Sequence, residues 1–378
     1  MSGDVKVTIK RDALHATLAK VARVAASKSK IRILQNVLIT LGPNNLTIVG
    51  TDLDIVIQAT VAADHSSPGA SITVIADLLA KLVGDFPSGS DLILTWSDQT
   101  RIELKCGRSR FKVNALPAAD FPEMPDLGET ADFNLPAADL RRAFASVAFA
   151  ISTEQSRFYL CGVYFHPIKS HLVFVSTNGH KLARIKLPRP DGMDDFAGVI
   201  IPHRCVNEML RMVDAKAEGE VNIRLSTSGI SFGMETTLLQ SKLIEGTYPD
   251  YQRVIPSSND KIVMLDFDDL LAAVGRVRTV ADRTEQASSA LRLTFDAEGL
   301  RISTRNAEAG EGEETIAVEP GGAAFDLDIG FNGEYLATLL GAVGTGTVRL
   351  RLADPGSPAL VEGVGRDEAD FVLMPMRV

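Results

Sequence analysis

The chain has 378 residues, 45% of them hydrophobic and 23% charged, with a formal net charge of −9. That length suits two to four domains with a sizeable core and excludes both a small stapled scaffold and wholesale disorder. No apolar run reaches the ~18 residues of a membrane-spanning helix, and the opening MSGDVKVTIKRD lacks the apolar stretch of a signal peptide. Cys106, Cys161 and Cys205 lie far apart with no CxxC pair, so the sequence reads as soluble and intracellular, with reduced thiols and no structural zinc.

In chain order, VTIKRDALHATLAKVARVAA combines a short extended stretch, an acid near a helix start and apolar residues at helical spacing. GTDLDIVI then reads as strand, VIADLLAKLVGDF as a second helix and DLILTW as an alternating strand, with Phe121-Pro122-Glu123 marking an exit. The same order returns in FNLPAADLRRAFASVAFAIS, IIPHRCVNEMLRMVD, VNIRLS and Tyr248-Pro249-Asp250, and a third time in VMLDFDDLLAAVGRVRTVAD, IGFNGEYLATLLGAV and VRLRLA. Leu14, Leu140 and Leu270 hold equivalent places, 126 and then 130 residues apart. The second helices begin near Ala76, Pro202 and Asn332, with the same two intervals. Two features sharing one pair of offsets indicate a true repeat. The expected fold is therefore α+β: three similar domains, residues 1–125, 126–256 and 257–378, each with two helices on one face of antiparallel sheets. The Pro-rich PAADFPEMPDLG and the segment PSSND mark the boundaries.

Charge is unevenly spread. Lys10, Arg11, Lys20, Arg23, Lys28, Lys30 and Arg32 face the single acid Asp12, and Arg101, Lys105, Arg108, Arg110 and Lys112 face only Glu103. Acids gather in GEGEE, near Glu308, which reads as a loop. Any one such run is ordinarily a solvated face, and the acidic total argues against a generic nucleic-acid binder.

Catalytic motifs are scarce. There is no phosphate loop, GxGxxG turn, HExxH, GxSxG elbow or EF-hand loop. His15, His65, His166, His171, His180 and His203 form no pair at metal-ligand helical spacing. Asp52 and Asp54 alternate along a strand-like run and are the one candidate for carboxylate metal chemistry, although strand-edge solvation is the commoner role. No cofactor is expected.

Specific strings carry a resemblance. RFYLCGVYF, STNGHKLA, EGTYPDYQRVIP, GFNGEYL and the terminal FVLMPMRV, in this order, together with GRSRFKVNALPAADFP in the first repeat, resemble the bacterial DNA polymerase III β subunit family of sliding clamps. The resemblance implies the DNA clamp fold and a non-enzymatic processivity factor: a head-to-tail homodimer forming a six-domain ring around duplex DNA. Geometry agrees. Six helices of ~10 Å width set in a circle leave about 9 Å clear and twelve leave about 28 Å, and only the latter admits a duplex.

The resemblance also implies sites. A ring that slides needs basic side chains facing its hole, for which Lys20, Arg23, Lys28, Lys30 and Arg32 are the best candidates; the resemblance itself places a DNA-contacting loop position on Lys28 and a second contact region on Phe158 and Tyr159. Arg141, Arg142, Arg276, Arg278 and Arg283 are further basic candidates on the helices of repeats two and three, where Asp266, Asp268 and Asp269 crowd the third-repeat helix start. A pocket for short linear peptides from the polymerase α subunit, the clamp loader, and repair and translesion polymerases falls on Leu160, Thr177, Gly179, His180, Lys181, Leu182, Pro249, Arg253, Val254, Asn332, Tyr335, Val372, Met374, Pro375, Met376 and Arg377. Phe111 and Val280 match apolar dimer-interface positions. Asp77 stands where the family has a basic contact, Glu154 where some members have an amide, Asn178 where an aspartate is common, Lys181 where an arginine is, and Val378 where a leucine is. The implied location is the bacterial cytoplasm, at the nucleoid. Two other readings stand beside it: a peptide-binding adaptor without a DNA ring, and a hydrolase using Asp52 and Asp54.

Overall fold

Six times among the described residues a short strand runs straight into a helix. The computed structural model describes residues 4–378 except 27, 66, 282–289 and 319–324. It places Val5–Lys10 before α1 (Arg11–Val21), Ser71–Ile75 before α2 (Ala76–Asp85) and Ala131–Pro136 before α3 (Ala137–Ala148). Val199–Pro202 precedes α4 (His203–Met212), Lys261–Asp266 precedes α5 (Phe267–Ala281) and Leu327–Asn332 precedes α6 (Gly333–Val343). The switch follows from apolar spacing. Val5, Val7 and Ile9 alternate on one strand face, after which Leu14, Leu18 and Val21 repeat at three and four, a pattern only a helix can bury on one side. Acids occupy the first turn of every helix but α4, where they meet the positive end of the helix dipole. In α5 the crowding acids have a structural use, since Asp266 Oδ1 accepts from the Asp269 N–H at 3.0 Å. Asn332 Oδ1 caps α6 in the same way, accepting from the Tyr335 N–H at 3.0 Å.

The equivalent leucines Leu14, Leu140 and Leu270 are each 0% exposed. The expected second helices and alternating strands appear as α2, α4 and α6, and as Asp91–Trp96, Glu220–Leu225 and Thr347–Leu352. Two readings need correction. GEGEE is not a loop: Gly310–Ile316 is a strand, paired from Leu300↔Ile316 to Asn306↔Gly310 with Gly299–Asn306. Glycine and glutamate have weak strand propensity, and the ladder with its neighbour overrides it. Asp52 and Asp54 lie not within a strand but in the turn between Asn45–Thr51 and Ile55–Ala62, where Leu53 takes a φ of 83°.

The chain divides into two compact units, residues 1–137 with 211–243 and residues 138–210 with 244–378. The first is built on an antiparallel sheet of thirteen strands. Within it Ile55–Ala62 of the first repeat pairs with Thr237–Lys242 of the second, Ala59 opposite Thr237 and Ile55 opposite Ser241. α1 packs on this sheet and on α2. Gly50 lets it come close, because a Cβ there would lie 2.7 Å from the Val21 carbonyl oxygen.

The second unit holds an eight-stranded and a four-stranded sheet, both antiparallel. In the larger, Lys181–Pro188 of the second repeat pairs with Ala369–Leu373 of the third, Leu182 opposite Val372. In the smaller, α5 lies against Gly299–Asn306 and Gly310–Ile316 and packs on α6. Three α+β repeats are thus linked through shared sheets.

Candidate functional site

The strand joint in the second unit creates a cleft. Between His171–Thr177 and Lys181–Pro188 the chain reverses in a turn held by its own side chains. Thr177 Oγ1 donates to the Lys181 carbonyl at 2.7 Å and accepts from the Gly179 N–H at 3.1 Å. Asn178 Oδ1 accepts from the N–H groups of His180 and Lys181 at 2.9 and 3.0 Å. An amide oxygen serves this turn as a carboxylate would, so the Asn178 departure leaves the acceptor in place. Gly179 sits at φ 90°, which glycine adopts without strain.

The cleft has a volume of about 170 Å³. Of the expected peptide-site residues, Leu160, Thr177, Gly179, Lys181, Leu182, Pro249, Val254, Val372 and Met374 line it. Asp250 and Tyr251 line it too and were missed, although both stand inside the recognised string YPDYQRV. The other expected residues surround these. Arg253 pairs with Asp250 at 2.8 Å. The His180 ring stacks on Tyr335 with centroids 6.1 Å apart, and the His180 carbonyl accepts from the Met374 N–H at 2.9 Å. Asn332 caps the helix that carries Tyr335. The Met376 N–H donates to the Gly330 carbonyl at 2.8 Å, with Pro375 half-buried and Arg377 exposed on the same terminal segment.

Behind the cleft, Leu160, Leu182, Tyr251 and Val372 belong to a buried apolar cluster with Tyr248. Tyr164 stacks between Tyr248, at 4.8 Å, and His166, at 4.6 Å, and His166 Nε2 lies 3.1 Å from the Tyr251 hydroxyl. Burial pushes the His166 imidazole below its usual value and the Tyr248 phenol above its own. Lys181, 9% exposed, holds its Nζ 4.6 Å from the centroid of the Tyr335 ring and 5.3 Å from that of Phe149. Such a floor and walls can take an apolar side chain, with few polar groups to fix its direction.

The expected DNA contacts fall into two sets, one in each unit. In the first unit Arg23, Lys28, Lys30 and Arg32 are exposed, whereas Lys20 is half-buried with Nζ 3.3 Å from Thr237 Oγ1. Asp77 is exposed in the first turn of α2. In the second unit Phe158 is 50% exposed, its ring edge-on to Tyr159 at 5.8 Å. Both lie on the short helical turn Gln155–Leu160 that brings Leu160 to the cleft. Glu154 accepts from Ser156 and Arg157, which hold its carboxyl below the usual range. Of the further basic candidates, Arg142 pairs with Glu368 at 2.7 Å and Arg276 bonds Glu314 at 2.9 Å. Arg141 and Arg278 are half-buried, and Arg283 lies outside the described residues. Phe111 is 40% exposed on Ser109–Leu116, and Val280 is half-buried near the end of α5.

The carboxylates proposed for metal chemistry are otherwise engaged. Asp52 Oδ1 accepts from the N–H groups of Asp54 and Ile55, and Asp54 pairs with Lys242 at 2.9 Å. Among the described residues no group of three His, Cys, Asp or Glu side chains is placed to hold a metal, and no helix is long and apolar enough to cross a membrane.

Three family descriptions match along the chain: the N-terminal domain of the DNA polymerase III beta subunit at residues 5–125, its central domain at 134–250 and its C-terminal domain at 252–377. The beta sliding clamp of Caulobacter vibrioides (strain NA1000 / CB15N) is 36% identical over 379 residues, covering 99% of this chain and 100% of the relative. That of Pseudomonas putida (strain KT2440) is 34% identical over 371 residues, covering 98% and 99%. Among solved structures, the sliding clamp of Bartonella birtlesii bound to griselimycin has a TM-score of 0.94 at 33% identity, and the Caulobacter crescentus beta sliding clamp 0.94 at 35%, each covering 100% of both chains.

Proposed function

Because the chain belongs to the DNA polymerase III beta subunit family, and so is a sliding clamp and a non-catalytic accessory subunit, we propose that two copies close head to tail around duplex DNA and tether polymerases through the cleft lined by Leu182 and Met374. The three domains proposed are residues 1–125, 126–256 and 257–378. The alternatives, an adaptor without a ring and a carboxylate hydrolase, have nothing comparable in their favour.

The repeated strand joint carries this reading. Ile55–Ala62 and Lys181–Pro188 are equivalent strands, and each pairs with a strand of the following repeat. The same pattern leaves one strand over at each end of the series. Ser109–Leu116 pairs along one side with Arg101–Cys106, but on the other only through Ala115 and Leu116. Gly310–Ile316 has a partner on one side only, among the described residues. Open edges are templates for another chain. Arg110 and Lys112 are exposed on the first edge, Glu311 and Glu313 on the second, so the two attract in antiparallel or parallel register alike. Two copies make two such joints and use up both leftover strands of the repeat series, which is what closed symmetry requires. Phe111 and Val280 would add apolar contact beside them.

Within the ring the basic residues Lys20, Arg23, Lys28, Lys30 and Arg32, with Phe158 and Tyr159, would attract phosphates without reading bases, while the acidic balance elsewhere discourages stray DNA. The cleft would seat short peptides of the polymerase α subunit, the clamp loader, and repair and translesion polymerases, in the cytoplasm at the nucleoid. The test is retention on DNA. Protein loaded on a circular plasmid should stay bound through a moderate-salt wash and be lost once the plasmid is cut. Equal loss from circular and linear forms would mean ordinary electrostatic binding and defeat the proposal.

A further inference from the structure

We propose that the Lys181 side-chain amine is a covalent modification site that condenses with small aromatic aldehydes to form an imine inside the cleft. Lys181 lines a chiefly apolar cleft of about 170 Å³ and is 9% exposed. Among the described residues no carboxylate lies within ion-pair distance of its Nζ, whereas most other buried or half-buried cations of this unit, Arg142 and Arg184 among them, have one. Its Nζ lies over two rings, Phe149 and Tyr335, at 5.3 and 4.6 Å. An ammonium so placed has lost water without gaining a counter-charge; burial lowers its pKa, against the pull of the two ring faces and a more distant Glu334, so the neutral amine is easier to reach here than on an exposed lysine. A neutral lysine amine in a poorly hydrated pocket is the kind that forms Schiff bases.

The step balances without a further reagent. The amine lone pair attacks the aldehyde carbon and a C–N bond forms as the carbonyl oxygen takes a proton. The resulting carbinolamine loses that oxygen as water, leaving a C=N bond. Unlike the ammonium it replaces, the imine can stand uncharged in the cleft, and its aryl group can lie against the flanking rings. The acceptor is read from these contacts alone. Blocking of peptide docking by the adduct rests in addition on the cleft being the docking site.

The experiment uses the full chain with 2-hydroxybenzaldehyde, trapping by borohydride and mass mapping of the adducts. Lys181 should be labelled faster than the exposed Lys28 and Lys216 by roughly fivefold or more near neutral pH, and its labelling should begin at lower pH than theirs. Labelling of Lys181 no faster than those two lysines would overturn the proposal. A second arm measures peptide binding before and after trapping, with Lys181→Arg as control. Affinity should fall for the native chain and hold for the variant. Preferential labelling of Lys181 with peptide affinity unchanged would uphold the amine site and count against the docking reading, so the two can fail separately.

Discussion

Gly330→Ala tests whether the C-terminal segment forms a wall of the cleft. A Cβ at Gly330 would run into the Met376 carbonyl oxygen and lie 2.5 Å from Val378 Cγ1. The first of these is backbone, so the terminal segment must lift. Gly330 is not among the residues of positive φ, and alanine itself suits the strand conformation, which isolates the steric effect. Lifting breaks the 2.8 Å bond from the Met376 N–H to the Gly330 carbonyl and strains the 2.9 Å bond from the Met374 N–H to the His180 carbonyl. At about 1 kcal/mol for each, the tail should lose about 1–2 kcal/mol of local stability. If Met374 loses a comparable share of its contact with a docked side chain, peptide affinity should drop about five- to thirtyfold. Fluorescence polarisation with a labelled peptide of the polymerase α subunit reads the affinity, and hydrogen exchange at Met374 and Met376 reads the release. Unchanged affinity together with faster exchange would show that the tail moves but is no part of the site, and would refute the reasoning.

Other outcomes follow from the same structure. Glu311→Lys with Glu313→Lys should convert the dimer to monomer by equilibrium sedimentation, and adding Arg110→Glu with Lys112→Glu should restore it; a persistent dimer in the first variant would remove the edge-pairing argument. Replacing Lys28, Lys30 and Arg32 by alanine should flatten the salt dependence of DNA binding by about 0.9 for each lost phosphate contact while leaving retention on circular DNA; an unchanged slope would place these side chains away from DNA. Burial holds both His166 and His203 below the usual 6.5. The unfolded chain therefore binds more protons than the folded one between those depressed values and 6.5, so stability is complete above that window and falls as pH drops through it. Thermal melts across the window should show the fall, and His166→Gln should reduce it; a flat profile in the native chain would contradict the assignment.

Much of this architecture could be read from residue order, for a physical reason. A repeat shows itself where burial repeats: Leu14, Leu140 and Leu270 had to be apolar because each is fully enclosed, and the strand-to-helix switch is written in the change of apolar spacing. The strand Gly310–Ile316 was illegible because its stability comes from a neighbour and not from its own glycines and glutamates. The turn at Leu53 was hidden for a related reason, since Asp52 and Thr51 organise it through bonds to backbone that spacing does not reveal. For the cleft, the recognised strings pointed to residues far apart in sequence, and the pairing of Leu182 with Val372 brings them together. Asp250 and Tyr251 escaped because single residues were carried over from a motif whose neighbours also face inward. No pattern in the sequence announced that Phe149 and Tyr335 flank Lys181; that contact arises only once α3, α6 and the joined strands pack.

Electron microscopy of the purified particle puts encirclement to the most direct trial. Class averages should show two copies enclosing a central opening of about 28 Å, wide enough for a double helix. Particles with a single copy, or paired copies with no through-hole, would contradict the clamp mechanism proposed for this chain.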